Sequence, residues 1–109
     1  MGQRAMTMEK ASNHMNVDRT MHMNVDDARK ELRRFIRERF TVPEEDLNFS
    51  DDVHLFDYGY IDSFGAVALI AFVEQNFSIK MTQNDLIAFP LNTIRQISSF
   101  AAKRKAGEL

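Results

Sequence analysis

The chain has 109 residues, no cysteine and a formal net charge of −2. This length allows one domain with a modest core, and the lack of cysteine excludes disulfides and thiolate metal sites. The longest apolar run, residues 64–73, is too short to span a membrane, and the N-terminus lacks the apolar core of a signal peptide. The histidines show no metal-ligand spacing. We therefore expect a cytoplasmic protein without a metal.

The charge is unevenly distributed along the chain. Between Arg39 and Lys80 there is no lysine or arginine, whereas this interval contains many acids. An acidic surface of this kind attracts basic partners and repels nucleic acid. The acids are Glu44, Glu45, Asp46, Asp51, Asp52, Asp57, Asp62 and Glu74.

Residues 1–23 are polar, rich in methionine and without periodicity, which predicts an unstructured N-terminal extension. Residues 14–18 recur as residues 22–26, but two copies do not make a repeat architecture. We assign the extension no function and place the folded domain at residues 24–109.

The first helix is predicted from about Val25 to Phe40, and Asn24 followed by Asp27 resembles a capping box. Helical spacing predicts one apolar stripe and an opposite basic face. The basic face could be a nucleic-acid or membrane patch, but a solvated face with interspersed glutamates is favoured, because a charge run alone is weak evidence. The stripe comprises Ala28, Leu32, Phe35, Ile36 and Phe40, and the basic face comprises Arg29, Lys30, Arg33, Arg34 and Arg37.

Residues 41–61 form a long connection, and a loop of this length in a compact domain is usually functional or pinned by its own side chains. Residues 43–46 are predicted to form one helical turn, with Pro43 at its favoured first position. The side chains expected to pin the loop to the core are Leu47, Phe49, Val53, Leu55 and Phe56.

The pair Asp62-Ser63 opens the second helix, which is predicted from Ser63 to about Phe77 because aspartate is a preferred N-cap. The Ser63 hydroxyl then lies exposed at a helix N-terminus, where unpaired N–H groups and the helix dipole favour a phosphate. We interpret Ser63 as a residue that is modified and not as a catalyst. No histidine accompanies it in a nucleophilic pattern, and no paired carboxylates indicate acid–base chemistry.

The second helix carries two apolar stripes. One stripe is predicted to face the core, and it comprises Ala66, Leu69, Ile70, Val73 and Phe77. The other begins beside Ser63 and allows two interpretations: the helix is buried on both sides, or this strip faces a partner. The second stripe comprises Phe64, Val67, Ala68 and Ala71.

Two more helices complete the chain. Thr82 with Asp85 resembles a capping box and predicts a short helix from Gln83 to about Phe89, which Pro90 ends. Asn92 is predicted to cap a last helix from Thr93 to about Lys105, with its apolar residues inward and basic residues at its negative end. No strand-like alternation occurs. The sequence predicts an all-α bundle of three long helices and one short helix, with a long loop between the first two.

The segment from Asp57 to Phe64, DYGYIDSF, resembles the attachment motif of acyl and peptidyl carrier proteins, and the order of elements over residues 24–105 is similar to theirs. The resemblance implies an acyl-carrier-protein-like four-helix fold. It also implies that 4′-phosphopantetheine, donated by coenzyme A, is attached to Ser63 beside Asp62. The arm would hold an acyl or aminoacyl group as a thioester, in a non-catalytic carrier.

The resemblance also implies partners: a phosphopantetheinyl transferase, an acyl- or aminoacyl-loading enzyme, and a downstream transferase or synthase. We expect these to dock on the strip of Phe64, Val67, Ala68 and Ala71 beside Ser63. The loop acids Asp51, Asp52 and Asp57 are expected to steer the encounter. We expect a monomer that binds neither nucleic acid nor membranes.

One departure from the family bears on the pathway. Carriers of fatty acid synthesis usually have a second helix rich in acids, whereas Glu74 is the only acid in this one. The pair Phe64-Gly65 is more similar to discrete carriers that hold D-alanine or a specialised extender unit. We therefore expect a stand-alone carrier of a dedicated pathway.

Two other functions remain open. Residues 81–100 could form a DNA-binding helix-turn-helix. Against this function, residues 83–100 contain only one basic residue, Arg95. The other alternative is a small helical adaptor domain without a prosthetic group.

Overall fold

The computed structural model describes residues 23–109, so the predictions for residues 1–22, including the first copy of the repeated pentapeptide, lie outside the described residues. This part of the chain contains four helices and no strand: α1 (Val25–Arg39), α2 (Ser63–Phe77), α3 (Gln83–Ala88) and α4 (Ile94–Lys105). The predicted all-α fold with a long loop between the first two helices is confirmed. No helix within residues 23–109 combines the length and apolarity needed to cross a membrane.

The helix ends follow local capping chemistry. Asn24 caps α1 by accepting hydrogen bonds from the N–H groups of Asp26 and Asp27. The capping box of α3 forms in both directions between Thr82 and Asp85.

The predicted cap of α4 is wrong. Thr93, and not Asn92, caps this helix, because Gln96 lies three residues after Thr93 and completes a reciprocal capping box. The Gln96 Oε1 atom also accepts a hydrogen bond from the backbone N–H of Asn92.

The core lies where α1, α2 and α4 meet, and α1 packs chiefly against α4. On α1 the buried side chains belong to the predicted stripe, although Phe35 and Phe40 are only half-buried. On α2 Leu69, Val73 and Phe77 are buried as predicted. The remaining large buried residues are Val42, Phe49, Val53, Leu55 and Ile61 from the long loop, Ile79 after α2, and Ile94, Ile97 and Phe100 from α4.

The long loop is pinned partly as predicted. Phe49, Val53 and Leu55 are buried, and Phe56 packs half-buried against them, but Leu47 is 94% exposed and contributes nothing to the core. The predicted helical turn at residues 43–46 is one hydrogen-bonded turn from Asp46 N–H to Pro43 C=O, with no helix. A single turn does not propagate because helix nucleation is costly.

Polar contacts complete the anchoring of the loop. The backbone N–H of Leu55 donates to Asn92 C=O at 2.9 Å, and that of Arg95 donates to Asp51 C=O at 2.9 Å. Together they hold the middle of the loop against the start of α4. The end of the loop, which leads to Ser63, is therefore attached to a rigid base.

Candidate functional site

The Asp62-Ser63 pair forms the N-terminus of α2 as predicted. Asp62 has extended backbone geometry, and its Oδ1 atom accepts a hydrogen bond of 2.7 Å from the N–H of Gly65. Ser63 is the first helical residue and is exposed, and no side chain within residues 23–109 hydrogen-bonds its hydroxyl. The hydroxyl is thus accessible at the positive end of the helix dipole.

The residues directly before Asp62 form a compact turn that backbone hydrogen bonds stabilise. Gly59 has a φ of 78°, a left-handed conformation that glycine adopts without strain. This reversal brings the N–H groups of Tyr60 and Ile61 onto the same carbonyl, that of Leu55, at 3.0 and 3.1 Å. Because the Ile61 side chain is buried, the residue before Asp62 is fixed both by its backbone and by its packing.

The Tyr60 side chain connects this turn to the first half of the loop. Its hydroxyl donates to the Asp46 carboxylate at 2.8 Å, and its ring packs edge-on against Phe49. The hydrogen bond from Tyr60 lowers the pKa of Asp46, while burial and then this carboxylate raise the pKa of Tyr60. This contact was not predicted from the sequence, because no local pattern pairs two residues that lie fourteen positions apart.

Gly65 is a second residue whose role the sequence analysis missed. A Cβ atom at this position would lie 2.6 Å from Phe40 Cε1 and 2.9 Å from Ile61 Cγ2. Glycine inside a helix costs about 1 kcal/mol relative to alanine, so its presence in the first turn signals a close approach. Here it lets the start of α2 rest directly on the C-terminal end of α1.

The predicted partner strip lies open on the surface of α2. Phe64 is 84% and Val67 67% exposed, Ala71 is exposed, and Ala68 is half-buried. The interpretation that α2 is buried on both sides is therefore wrong. Contiguous exposed apolar side chains often mark an interaction surface.

The exposed surface of α2 is almost uncharged. Its only acid, Glu74, is half-buried and accepts a hydrogen bond from the N–H of Met81 at 2.8 Å. This glutamate thus ties the end of α2 to the connection that leads into α3. A partner that docks on the Phe64 side of α2 meets apolar surface.

The loop acids differ in their availability to a partner. Asp51 accepts two hydrogen bonds from Arg33, at 2.8 and 2.9 Å, and Asp52 forms a bidentate pair with Arg95. These two acids are neutralised within the domain, contrary to the expectation that they steer a partner. Asp57 is more available, because its side chain is 75% exposed and its nearest basic neighbour within the described residues is His54, at 3.6 Å.

The basic face of α1 is occupied by similar internal contacts. Arg29 pairs with Asp26, Arg33 with Asp51, and Arg37 donates to Pro43 C=O at 2.8 Å while its guanidinium lies over the Phe49 ring. Arg33 and Arg37 thus anchor the loop, whereas the Asp26 partner of Arg29 lies in α1 itself. The contacts support the favoured interpretation of this face over a nucleic-acid or membrane patch.

An apolar cavity of about 350 Å³ lies between α2, α3 and the connection to α4. Ala66, one helical turn after Ser63, lies in its wall, and Asn92 is its only polar lining residue. No group of three or more His, Asp or Glu side chains within residues 23–109 could hold a metal ion. The other lining residues are Phe56, Leu69, Ile70, Val73, Met81, Leu86, Phe89, Pro90, Leu91 and Ile97.

Comparison with known proteins identifies the family. The family model described as "Phosphopantetheine attachment site" matches residues 30–101, which include most of α1 and all of the long loop, α2 and α3. No curated protein matches the chain significantly. The exposed serine at a capped helix N-terminus fits the chemistry of a phosphodiester, which needs a hydroxyl and donors for its anionic oxygens. The chain therefore belongs to the family of phosphopantetheine-binding carrier domains, and its prosthetic group is 4′-phosphopantetheine.

Proposed function

We propose that residues 24–109 form a stand-alone carrier domain in which Ser63 is the attachment residue of 4′-phosphopantetheine. The observation that carries this proposal is the position of Ser63, which is exposed at the first position of α2 and directly follows the Asp62 cap. When attached, the group supplies a terminal thiol that holds an acyl or aminoacyl group as a thioester.

The chain's own residues would position the phosphodiester. The Asp62 side chain accepts a hydrogen bond from the N–H of Gly65, and the Asp62 carbonyl accepts one from the N–H of Ala66. The N–H groups of Ser63 and Phe64 have no acceptor among residues 23–109, so they are left for the anionic oxygens. The hydrogen bonds to the Leu55 carbonyl and the Tyr60–Asp46 hydrogen bond hold this helix end in place.

The domain supplies no catalytic chemistry of its own in this proposal. Domains of this family are generally non-catalytic carriers. The partners would be a phosphopantetheinyl transferase, an acyl- or aminoacyl-loading enzyme, and a downstream transferase or synthase. During attachment, the Ser63 oxygen would form a bond to the phosphorus of coenzyme A that carries the pantetheine group. The phosphoanhydride bond would break, adenosine 3′,5′-bisphosphate would leave, and the transferase would accept the hydroxyl proton.

We propose that these partners dock on the exposed strip formed by Phe64, Val67, Ala68 and Ala71. The strip is apolar and adjoins Ser63, and Asp57, a loop acid whose side chain is 75% exposed, lies before the helix. Apolar burial would then hold the complex while the loop charge affects mainly the association rate. This arrangement differs from a partner face built of acids and supports a dedicated pathway outside fatty acid synthesis.

The cavity favours an acyl cargo over an aminoacyl cargo. Its wall begins one turn from Ser63 at Ala66, and no acidic side chain lines it. An aminoacyl group carries an ammonium ion, and burial of an unpaired charge in apolar surroundings is very costly. We therefore propose that the cavity receives the apolar part of a short acyl group.

The experiment is transfer of the group from coenzyme A by a broad-specificity phosphopantetheinyl transferase, followed by intact-mass measurement. The wild-type chain should gain the mass of one 4′-phosphopantetheine, and Ser63→Ala should gain none. Ser50→Ala is the matched control, because Ser50 is an exposed serine of the preceding loop, and this variant should be modified like the wild type. Normal modification of Ser63→Ala would exclude Ser63 as the site.

A further inference from the structure

Asp46 differs from the other acids of the long loop in the groups that bind its carboxylate. Asp51 and Asp52 pair with arginines, whereas the hydrogen-bond donors to Asp46 are neutral. Its Oδ2 atom accepts a hydrogen bond of 2.8 Å from the Tyr60 hydroxyl, and its Oδ1 atom accepts one of 2.9 Å from the backbone N–H of Asn48. Both carboxylate oxygens of Asp46 are therefore used to fix the path of the loop.

The hydrogen bond between Tyr60 and Asp46 joins a neutral donor to a charged acceptor. Tyr60, foremost, lowers the pKa of Asp46, and burial, foremost, raises the pKa of Tyr60. Near neutral pH the hydroxyl thus keeps its proton while the carboxylate is ionised. Hydrogen bonds to an ionised acceptor are stronger than those between two neutral groups.

The first half of the loop, which contains Asp46, is itself attached to α1. The backbone N–H of Asp46 donates to Pro43 C=O at 3.1 Å, and Arg37 of α1 donates to the same carbonyl at 2.8 Å. The centre of the Phe49 ring lies 4.9 Å from the Arg37 guanidinium and 5.3 Å from the centre of the Tyr60 ring. Tyr60 is therefore connected to α1 both through the Asp46 carboxylate and through the Phe49 ring.

Tyr60 belongs to the turn that leads directly into Asp62 and Ser63. Within residues 23–109, the other hydrogen bonds of residues 58–61 go to residues 54–56, so the Tyr60 hydroxyl makes the one hydrogen bond from this turn to the first half of the loop. Without that bond, only packing would hold the two segments together. The placement of the chain before Ser63 thus depends on a single side-chain pair.

We propose that Tyr60 and Asp46 are positioning residues for the attachment reaction at Ser63. Their hydrogen bond keeps the turn before Asp62 in the conformation that the phosphopantetheinyl transferase binds. This role rests on the proposed function, since it requires Ser63 to be the modified residue. Neither side chain touches the reacting atoms, so loss of the pair leaves the chemical step intact. A transferase that meets a mobile turn must order it on binding, and this ordering weakens the complex.

The experiment compares full-length wild type with Tyr60→Phe. Phenylalanine keeps the ring that packs on Phe49 and removes only the donor to Asp46. Initial rates of phosphopantetheine transfer are measured against carrier concentration at saturating coenzyme A. We expect the KM for the carrier to rise about threefold to tenfold with an unchanged kcat. Amide hydrogen exchange should become faster at residues 59–61 and stay unchanged in α4.

Tyr58→Phe is the matched control. It removes a hydroxyl from the same turn, but Tyr58 is 71% exposed and its hydroxyl has no hydrogen-bond partner in the described part of the chain. This variant should keep the KM of the wild type. An equal rise of KM in Tyr58→Phe and Tyr60→Phe would overturn the proposal, because the effect would then not depend on the bond to Asp46.

Asp46→Asn tests the same bond from the other side. Asparagine can still accept from the Asn48 N–H, but its amide group places a donor where Oδ2 accepted from Tyr60. The KM should rise as in Tyr60→Phe. Glu45→Gln removes one exposed charge from the neighbouring position and should keep the wild-type KM at a salt concentration that screens steering.

The double variant Tyr60→Phe/Asp46→Asn decides whether the two residues act as a pair. If they do, its KM should not exceed that of the more affected single variant, whereas multiplied effects would mean that they act separately. A wild-type KM in Tyr60→Phe would overturn the positioning role. So would a rise of KM accompanied by faster exchange in α4, because it would show a general loss of stability. The proposed function fails by a different result, which is modification of Ser63→Ala or no mass gain in the wild type.

Discussion

Asp62 links the stability of α2 to the modification of Ser63, and two substitutions separate these roles. Asp62→Ala removes the acceptor of the 2.7 Å hydrogen bond from Gly65 N–H. Loss of an N-cap of this kind costs about 0.5–2 kcal/mol. For a domain of this size, each kcal/mol lowers the melting temperature by roughly 4–8 °C. We therefore expect a fall of several degrees in thermal unfolding followed by circular dichroism.

Asp62→Asn tests the charge. Asparagine caps helices about as well as aspartate, so this variant should lose only the interaction of the charge with the helix dipole, about 0.3–1 kcal/mol. Its rate of modification should nevertheless fall, because a transferase that binds next to Ser63 meets no negative charge there. The assay is the initial rate of phosphopantetheine transfer at saturating coenzyme A.

Asp57→Asn serves as the control for Asp62→Asn, since it removes one exposed charge from the same loop without affecting a cap. It should weaken the encounter with the transferase mainly at low salt. If Asp62→Asn is modified at the wild-type rate, the role of its charge is refuted. If Asp62→Ala melts at the wild-type temperature, the capping argument fails.

Three further predictions follow from the geometry. Gly65→Ala should lower stability, because an overpacking cost of about 1–3 kcal/mol exceeds a propensity gain of about 1 kcal/mol; a higher melting temperature would contradict this. Val67→Asp should fold normally, because Val67 is 67% exposed, yet weaken binding of the loading enzyme, whereas Gln75→Asp farther along α2 should bind normally. Unfolding of Val67→Asp, seen by circular dichroism, would place the strip in the core. A chain that starts at Met23 should keep its melting temperature and modification rate, and a large loss in either would show that residues 1–22 pack on the bundle.

Local sequence chemistry was sufficient for the helices. Both ends of α2 were predicted correctly, because an aspartate cap precedes the helix and the apolar stripe at helical spacing ends at Phe77. The start of α4 was placed one residue early, because Asn92 and Thr93 are both good caps and Gln96 decides between them. The carrier family could be predicted because its motif around Ser63 is contiguous in sequence.

The long loop could be predicted only in part, because distant residues fix it. Asp51 and Asp52 pair with arginines that lie 18 and 43 positions away, and no local pattern indicates such pairs. For the same reason the buried Asp85 was interpreted only as the partner of Thr82 in a capping box, since Arg104, which also donates a hydrogen bond to its carboxylate, lies 19 positions farther along. Leu47 was predicted to pin the loop from its apolarity alone, but it lies exposed beside a tight turn.

The most direct test of the central claim is to locate the modification within the chain. Trypsin cleaves after lysine and arginine, so residues 40–80 form one peptide that contains Ser50, Ser63 and Ser78. After incubation with coenzyme A and a transferase, fragmentation of this peptide in a mass spectrometer assigns the added group to one serine. We predict that all of the 4′-phosphopantetheine is on Ser63. Its presence on Ser50 or Ser78, or an unmodified peptide under conditions that modify another carrier, would contradict the account.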